Sequence, residues 1–209
     1  MVPIVTPPEL TVDEESYKEW EDRPINIYFR GKNRSCHNPR AQLNRNLTFN
    51  LLGRAPGVIV SNNHAASPDA YFQELRDSKF CLVLACDDPQ TSRFSDALAA
   101  GCIPIVINDH FRLHVAPFVR LMNYDAMIVT IAEADWQASG GTYLPSPVLL
   151  RSGENARALR DLHDGMMEMR RALLWHHPHS LVATMALRTV QHECLSSHTR
   201  DAGLGLQPV

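Results

Sequence analysis

An α/β fold built on a doubly wound parallel sheet is what three observations predict. Phe80–Ala85 and Cys102–Ile107 are apolar runs with the length and β-branched content of strands buried on both faces. The segment between them carries helix punctuation, with Thr91 or Ser92 as cap and Gly101 as stop. Further apolar runs at Ile25–Phe29, Gly57–Ser61 and Ala126–Ile131 alternate with helical patterns, giving about five strands. A strand–helix–strand this compact is one right-handed crossover of a parallel sheet. Ligands of such sheets bind beyond the carboxyl ends of the strands, where Asp87–Arg93 falls.

The elements follow in order. Residues 1–22 are an acidic lead-in with three early prolines and a short helix around Asp13–Trp20. Ile25–Phe29 follows Pro24 as an alternating strand, with Arg30, Gly31 and Lys32 just past its carboxyl end. Pro39–Leu52 reads as a helix, Gly57–Ser61 as a second strand, and Asp69–Asp77 as a helix leading into Lys79. His110–Tyr124 is irregular, Ala126–Ile131 returns as a strand, and Gly140–Pro147 is a turn-rich loop. Leu159, Leu162, Met166, Met169 and Leu173 recur at helical steps from about Glu154 to Trp175. Ser180–Cys194 is another helix. Residues 23–195 thus read as one domain with two closing helices, and 196–209 as a frayed tail.

At 209 residues the chain can bury one substantial core. A formal charge of −3 gives no basic field of the kind that binds nucleic acid. No run reaches the roughly 18–20 apolar residues that span a bilayer. Met1–Leu10 has neither the basic nor the long apolar region of a signal peptide, so the chain as written reads as soluble. Cys36, Cys81, Cys86, Cys102 and Cys194 are an odd set without a CxxC pair, which excludes the common zinc and redox motifs. Cys81 and Cys102 read most simply as buried thiols acting as small hydrophobes. Sequons at Asn33 and Asn46 permit glycosylation in a luminal chain. No GxSxG, HExxH, Walker-type or GxGxxG motif is present.

The helix after Thr91 has an informative asymmetry. Phe94, Ala97, Leu98 and Gly101 share a sheet-facing stripe, whereas Arg93, Asp96 and Ala100 fall on another face. A cation in the first turn is disfavoured by the macrodipole. A phosphate bound at that helix end would reverse the balance, gripped by backbone N–H groups and the Arg93 guanidinium. Asp96, one turn deeper, could accept hydrogen bonds from ribose hydroxyls. The bland alternative is a surface Arg–Asp pair contributing a few tenths of a kcal/mol. Among other clusters, Trp175–His179 reads as a solvated turn rather than a metal site, and the Met166–Met169 group as core. His110 and His114 lie near the proposed cleft without an evident acid partner.

The run FCLVLACDDPQTSRFSDALAAGCIPIVI resembles the signature of the exostosin-like glycosyltransferases. Phe80, Cys81, Leu82, Asp87, Thr91, Arg93, Asp96, Ala97, Gly101, Cys102, Ile103 and Pro104 match the spacing of that family's pattern. Upstream, RPINIYFRGK (Arg23–Lys32) resembles its first strand and turn. Downstream, Ala116–Pro117–Phe118 and Tyr124 echo it loosely. The resemblance covers about residues 22–195 and is strong within 78–108. Two positions depart: Leu84 replaces the family's proline, and Cys86 replaces a glycine and narrows the backbone approach to a ligand.

The resemblance implies the carboxy-terminal, donor-binding, Rossmann-like half of a GT-B architecture. It implies transfer of a sugar from a nucleotide donor, UDP-linked, to a glycan or glycoprotein acceptor. Arg93, Asp96, Ser92, Thr91, Arg30, Gly31 and Asp87 would then bind the donor. No covalent cofactor is implied, a divalent metal is left open, and the acceptor base would come from the other domain. The expected location is the luminal side of the Golgi membrane, with the anchor outside this chain and a partner transferase subunit as a further expectation. Alternatives are an inactive nucleotide-sugar-binding module, a fragment lacking the acceptor domain, or a structural α/β domain without ligand.

Overall fold

The computed structural model describes residues 18–31, 36–51, 56–88, 91–144 and 154–192. Strands β1 (Ile25–Arg30), β2 (Val58–Ser61), β3 (Ser78–Leu84), β4 (Ile103–Ile107) and β5 (Val129–Thr130) form one sheet in the order β2-β1-β3-β4-β5. Each neighbouring pair is parallel. The chain leaves β1 toward one edge for β2 and returns past it to β3. The crevice between the carboxyl ends of β1 and β3 is therefore the topological switch point.

Among the described residues six helices cover the sheet: α1 (Pro39–Thr48), α2 (Pro68–Arg76), α3 (Ser92–Ala99), α4 (Glu133–Ala138), α5 (Glu154–Leu173) and α6 (Val182–Val190). Helices α1 and α2 begin alike, each with proline in the first turn after a side-chain cap. The Asn38 oxygen accepts from the Arg40 and Ala41 amides, and the Ser67 hydroxyl from the Ala70 amide.

Alternation along the strands splits the core in two. Ile27, Phe29, Leu82, Leu84, Ile105 and Ile107 point to one face, where Trp136 of α4 is fully buried. The indole of Trp136 donates to the Asn44 carbonyl of α1 at 3.2 Å. Tyr28, Cys81, Val83 and Val106 point to the other face, against Leu75 of α2, Phe94 and Leu98 of α3, and Met166 of α5. Helices on both faces make the sheet doubly wound, as the strand pattern predicts. Met166 is wholly buried, in keeping with the core reading of the methionine group.

The far end of α3 is closed by two buried arginines. Arg170 of α5 donates to the Ala99 carbonyl at 2.6 Å, and Arg23 to the Gly101 carbonyl at 2.7 Å. Carbonyls at a helix carboxyl end lack intrahelical partners and carry negative partial charge, so a guanidinium there satisfies both needs. Gly101 has φ +67°, the left-handed stop expected of it.

Several expectations need correction. Cys81 and Cys102 are not free thiols but a disulfide, with Cα atoms 5.8 Å apart. Cys81 sits opposite Pro104 in the register, which places Cys102 diagonally on the same face. A second disulfide joins Cys36 to Cys86. The strand expected over Ala126–Ile131 shrinks to Val129–Thr130, because Tyr124–Ala126 turns as a 3₁₀ helix before the chain reaches β4. The irregular stretch after His110 contains a single π-helical turn, Phe111–Val115. Helix α4 was not anticipated, since its N-cap Ala132 offers no side-chain cap. Residues 174–181, including the histidine cluster, form the joint between α5 and α6. Most of the proposed helix at Asp13–Trp20, Lys32, the Asn33 sequon, Pro145–Pro147, Cys194 and the 196–209 tail lie outside the described residues.

Candidate active site

The switch point opens into a cleft of about 770 Å³. Of the residues singled out from sequence, Arg30, Gly31, Ser92, Arg93 and Asp96 line it. Helix α3 aims its amino terminus at this cleft, with Thr91 as N-cap accepting from the Arg93 amide at 3.3 Å.

Arg93 does not swing freely. Its Nε donates to the Arg30 carbonyl at 3.0 Å, and its Nη1 to the Thr91 hydroxyl at 3.3 Å. The guanidinium lies over the Phe29 ring, 5.4 Å from the centroid, where the negative face of the π system attracts it. A cation beside a helix amino terminus is unfavourable by itself. Here three contacts from two neighbouring segments hold it at that place.

Asp96 is buried rather than a surface partner of Arg93, being 7% exposed. The Tyr71 hydroxyl donates to it at 3.0 Å. Burial pushes its carboxyl pKa up, opposed by the Tyr71 hydrogen bond, the Arg93 charge and the Ser92 side chain. The Tyr71 hydroxyl is raised in turn, mainly by burial and then by the Asp96 charge.

Arg30 occupies the rim, but its guanidinium is turned to Glu74 on α2. Nε and Nη2 each reach a carboxylate oxygen at 2.6 Å, a two-point pair. The Tyr28 hydroxyl also donates to Glu74, at 2.8 Å. These bonds, the Arg30 contact first, hold the Glu74 carboxyl below its usual range.

Asp87 stands apart from the cleft lining. It accepts from the backbone amides of His37 and Asn38, the latter at 2.9 Å, and meets His37 Nδ1 at 2.7 Å. The adjacent Cys36–Cys86 disulfide makes the same connection covalently. Together they tie the start of α1 to the segment after β3. Cys86 itself lines the cleft, so the position that departs from the family pattern forms part of its wall.

Sequence reasoning missed Arg45, Tyr71 and Glu74. Arg45 comes from α1 and lies 4% exposed against the cleft. No spacing rule links it to Arg93, because the contact joins separate helices across the sheet edge. Tyr71 and Glu74 sit three residues apart on one face of α2 and carried no motif. His110 and His114 stack at 5.7 Å between ring centroids beyond β4, and neither lines the cleft. Among the described residues no group of three or more His, Cys, Asp or Glu is placed to hold a metal ion.

Parallel strands, helices on both faces and a cleft at the switch point define a Rossmann-like domain. The Exostosin GT47 domain matches residues 1–143, and the chain belongs to that family. It is 29% identical over 141 residues to a probable glucuronosyltransferase of Oryza sativa subsp. japonica, covering 62% of this chain and 31% of the relative. The probable beta-1,4-xylosyltransferase IRX10 of Arabidopsis thaliana is 28% identical over 136 residues, covering 62% and 32%. An exostosin-1 homolog of Caenorhabditis elegans is 28% identical over 91 residues, covering 44% and 22%. The chain spans no more than about a third of the length of these curated relatives.

Proposed function

We propose that this chain forms the donor-binding half of a two-domain glycosyltransferase and transfers a sugar from a UDP-linked donor to a glycan. The observation that carries the reading is the pinning of Arg93 at the mouth of α3, above Phe29, with buried Asp96 one turn behind it. As the glycosidic bond breaks, the departing diphosphate gains charge. Groups fixed in advance near that charge stabilise the transition state without reorganising. Arg93, the first turn of α3 and the Ser92 hydroxyl supply those groups, while Asp96 orients the ribose. Arg30 and Gly31 shape the rim beside Arg93. Thr91 and Asp87 act through the segments they hold. The acceptor and its base are met across the cleft, from the second domain of the architecture.

Two disulfides support an oxidising, luminal compartment, which is where the Golgi reading places the protein. No helix among the described residues is long and apolar enough to cross a membrane. The test is calorimetric titration of UDP into the protein and into Arg93→Ala. Loss of a charge-assisted contact should weaken binding by about 1.5–3 kcal/mol. Equal affinity in a folded Arg93→Ala variant would remove Arg93 from the site and the reading with it.

A further inference from the structure

We propose that Arg45 is a second anion-binding side chain of this cleft and that, with Arg93, it makes the site selective for a diphosphate over a monophosphate. The proposal rests on the donor-binding reading only for what lies beyond the phosphates.

The two guanidinia are held in matching ways. Arg93 donates its Nε to the carbonyl of Arg30, the last residue of β1, at 3.0 Å. Arg45 donates its Nε to the carbonyl of Ala85, just past β3, at 3.0 Å. Those strands flank the switch point, so each wall of the crevice carries one cation. Both lie near the same ring, with guanidinium carbons 5.4 Å and 5.9 Å from the Phe29 centroid.

Gly31 separates them. A Cβ there would meet Arg93 Nη2 at 2.7 Å, the Phe29 ring at 2.9 Å and Arg45 Nη1 at 3.2 Å, so an added methyl group would displace both guanidinia from their present places. Like charges this close oppose each other. Burial, and then Arg93, push the Arg45 pKa down to about 10, with the Asp87 charge opposing them only in part. Arg45 remains protonated at neutral pH, and the repulsion is relieved when anionic charge enters between the pair. One phosphoryl group offsets one guanidinium, whereas a diphosphate presents charge to both.

Isothermal titration with UDP, UMP and inorganic pyrophosphate tests this on the intact chain and on Arg45→Met. The expected result is a loss of roughly tenfold or more for UDP and pyrophosphate, with UMP changing by less than roughly threefold. Gly31→Ala drives a methyl group between the guanidinia and should show the same selective loss, which keeps the test decisive if Arg45→Met does not fold. Equal losses for UDP and UMP, or none in a folded variant, would overturn the proposal and leave the donor reading standing. Pyrophosphate binding without UDP binding would do the reverse. Failure of the intact chain to bind any of the three would overturn both.

Discussion

The hydroxyl of Tyr71 on α2 donates to Asp96 on α3 at 3.0 Å, and this bond joins two helices directly beneath the cleft. A buried carboxylate without a donor is costly, so the pair fixes where Asp96 points. Tyr71→Phe should lower stability by about 1–3 kcal/mol, the range for leaving a buried partner unsatisfied. It should also push the Asp96 pKa higher. A carboxyl whose folded pKa is raised binds more protons folded than unfolded between the ordinary Asp value, about 3.9, and the raised one. Stability from Asp96 therefore falls as pH climbs through that window, and the variant should extend the fall upward. Thermal melts from pH 4 to 8 would reveal it, and superimposable profiles would contradict it.

The Arg30–Glu74 pair titrates in the opposite sense. With its pKa held down, Glu74 contributes stability above its unfolded value, and that contribution is lost as pH drops through the folded one. Glu74→Gln should lower the melting point at neutral pH by an amount worth up to about 1 kcal/mol, since the pair is partly solvated. It should also flatten the acid limb of the profile.

Because Glu74 already engages the Arg30 guanidinium, Arg30→Ala should weaken UDP binding less than Arg93→Ala does. Paired titrations of the two variants check this. A larger loss for Arg30→Ala would mean that the guanidinium leaves Glu74 for the ligand.

The Cys36–Cys86 bridge closes a separation of 50 residues and borders the cleft. Removing it by Cys36→Ser with Cys86→Ser should cost about 2–4 kcal/mol of stability. UDP binding should weaken as well, because the segments at the cleft wall lose their covalent tie. For the same reason Cys86→Gly, which copies the family residue, should destabilise by far more than a glycine's chain entropy alone. Denaturant unfolding with and without reductant measures both effects, and unchanged midpoints would refute the tie.

Gly141 allows α4 to lie against α1. It has φ +78°, and a Cβ would stand 2.3 Å from the Leu47 carbonyl oxygen. A backbone oxygen cannot rotate away, so Gly141→Ala should cost at least about 1–2 kcal/mol. Gly140→Ala, also left-handed but in open space, should show a smaller loss, and the two urea midpoints compare them.

What could be read from the chain was local and periodic. The segment from β3 through α3 to β4 is contiguous, and its apolar runs, Thr91 cap and Gly101 stop each carry their own signal. Helix phase put Arg93 and Asp96 on one face of α3, but not the burial of Asp96 against Tyr71. Arg45, Tyr71 and the disulfides were not legible, because each depends on which strands become neighbours. Cys81 and Cys102 pair only once β3 and β4 are in register. The apolar string 126–131 looked like a strand, yet its first half feeds the core through a turn. Burial requires only that Met127 and Ile128 be covered, not that they pair.

The two arginines at the far end of α3 bear on where the folding unit stops. The segment shared with the family ends at residue 143. Arg170, which satisfies the Ala99 carbonyl, and Met166, which fills the core beneath α3, come from later in the chain. An excised polypeptide ending at the family boundary would expose that apolar surface and leave the helix carrying Arg93 with only Arg23 of its two rear anchors. The end of the family match and the end of the packed core are thus different points, and the second reaches at least into α5.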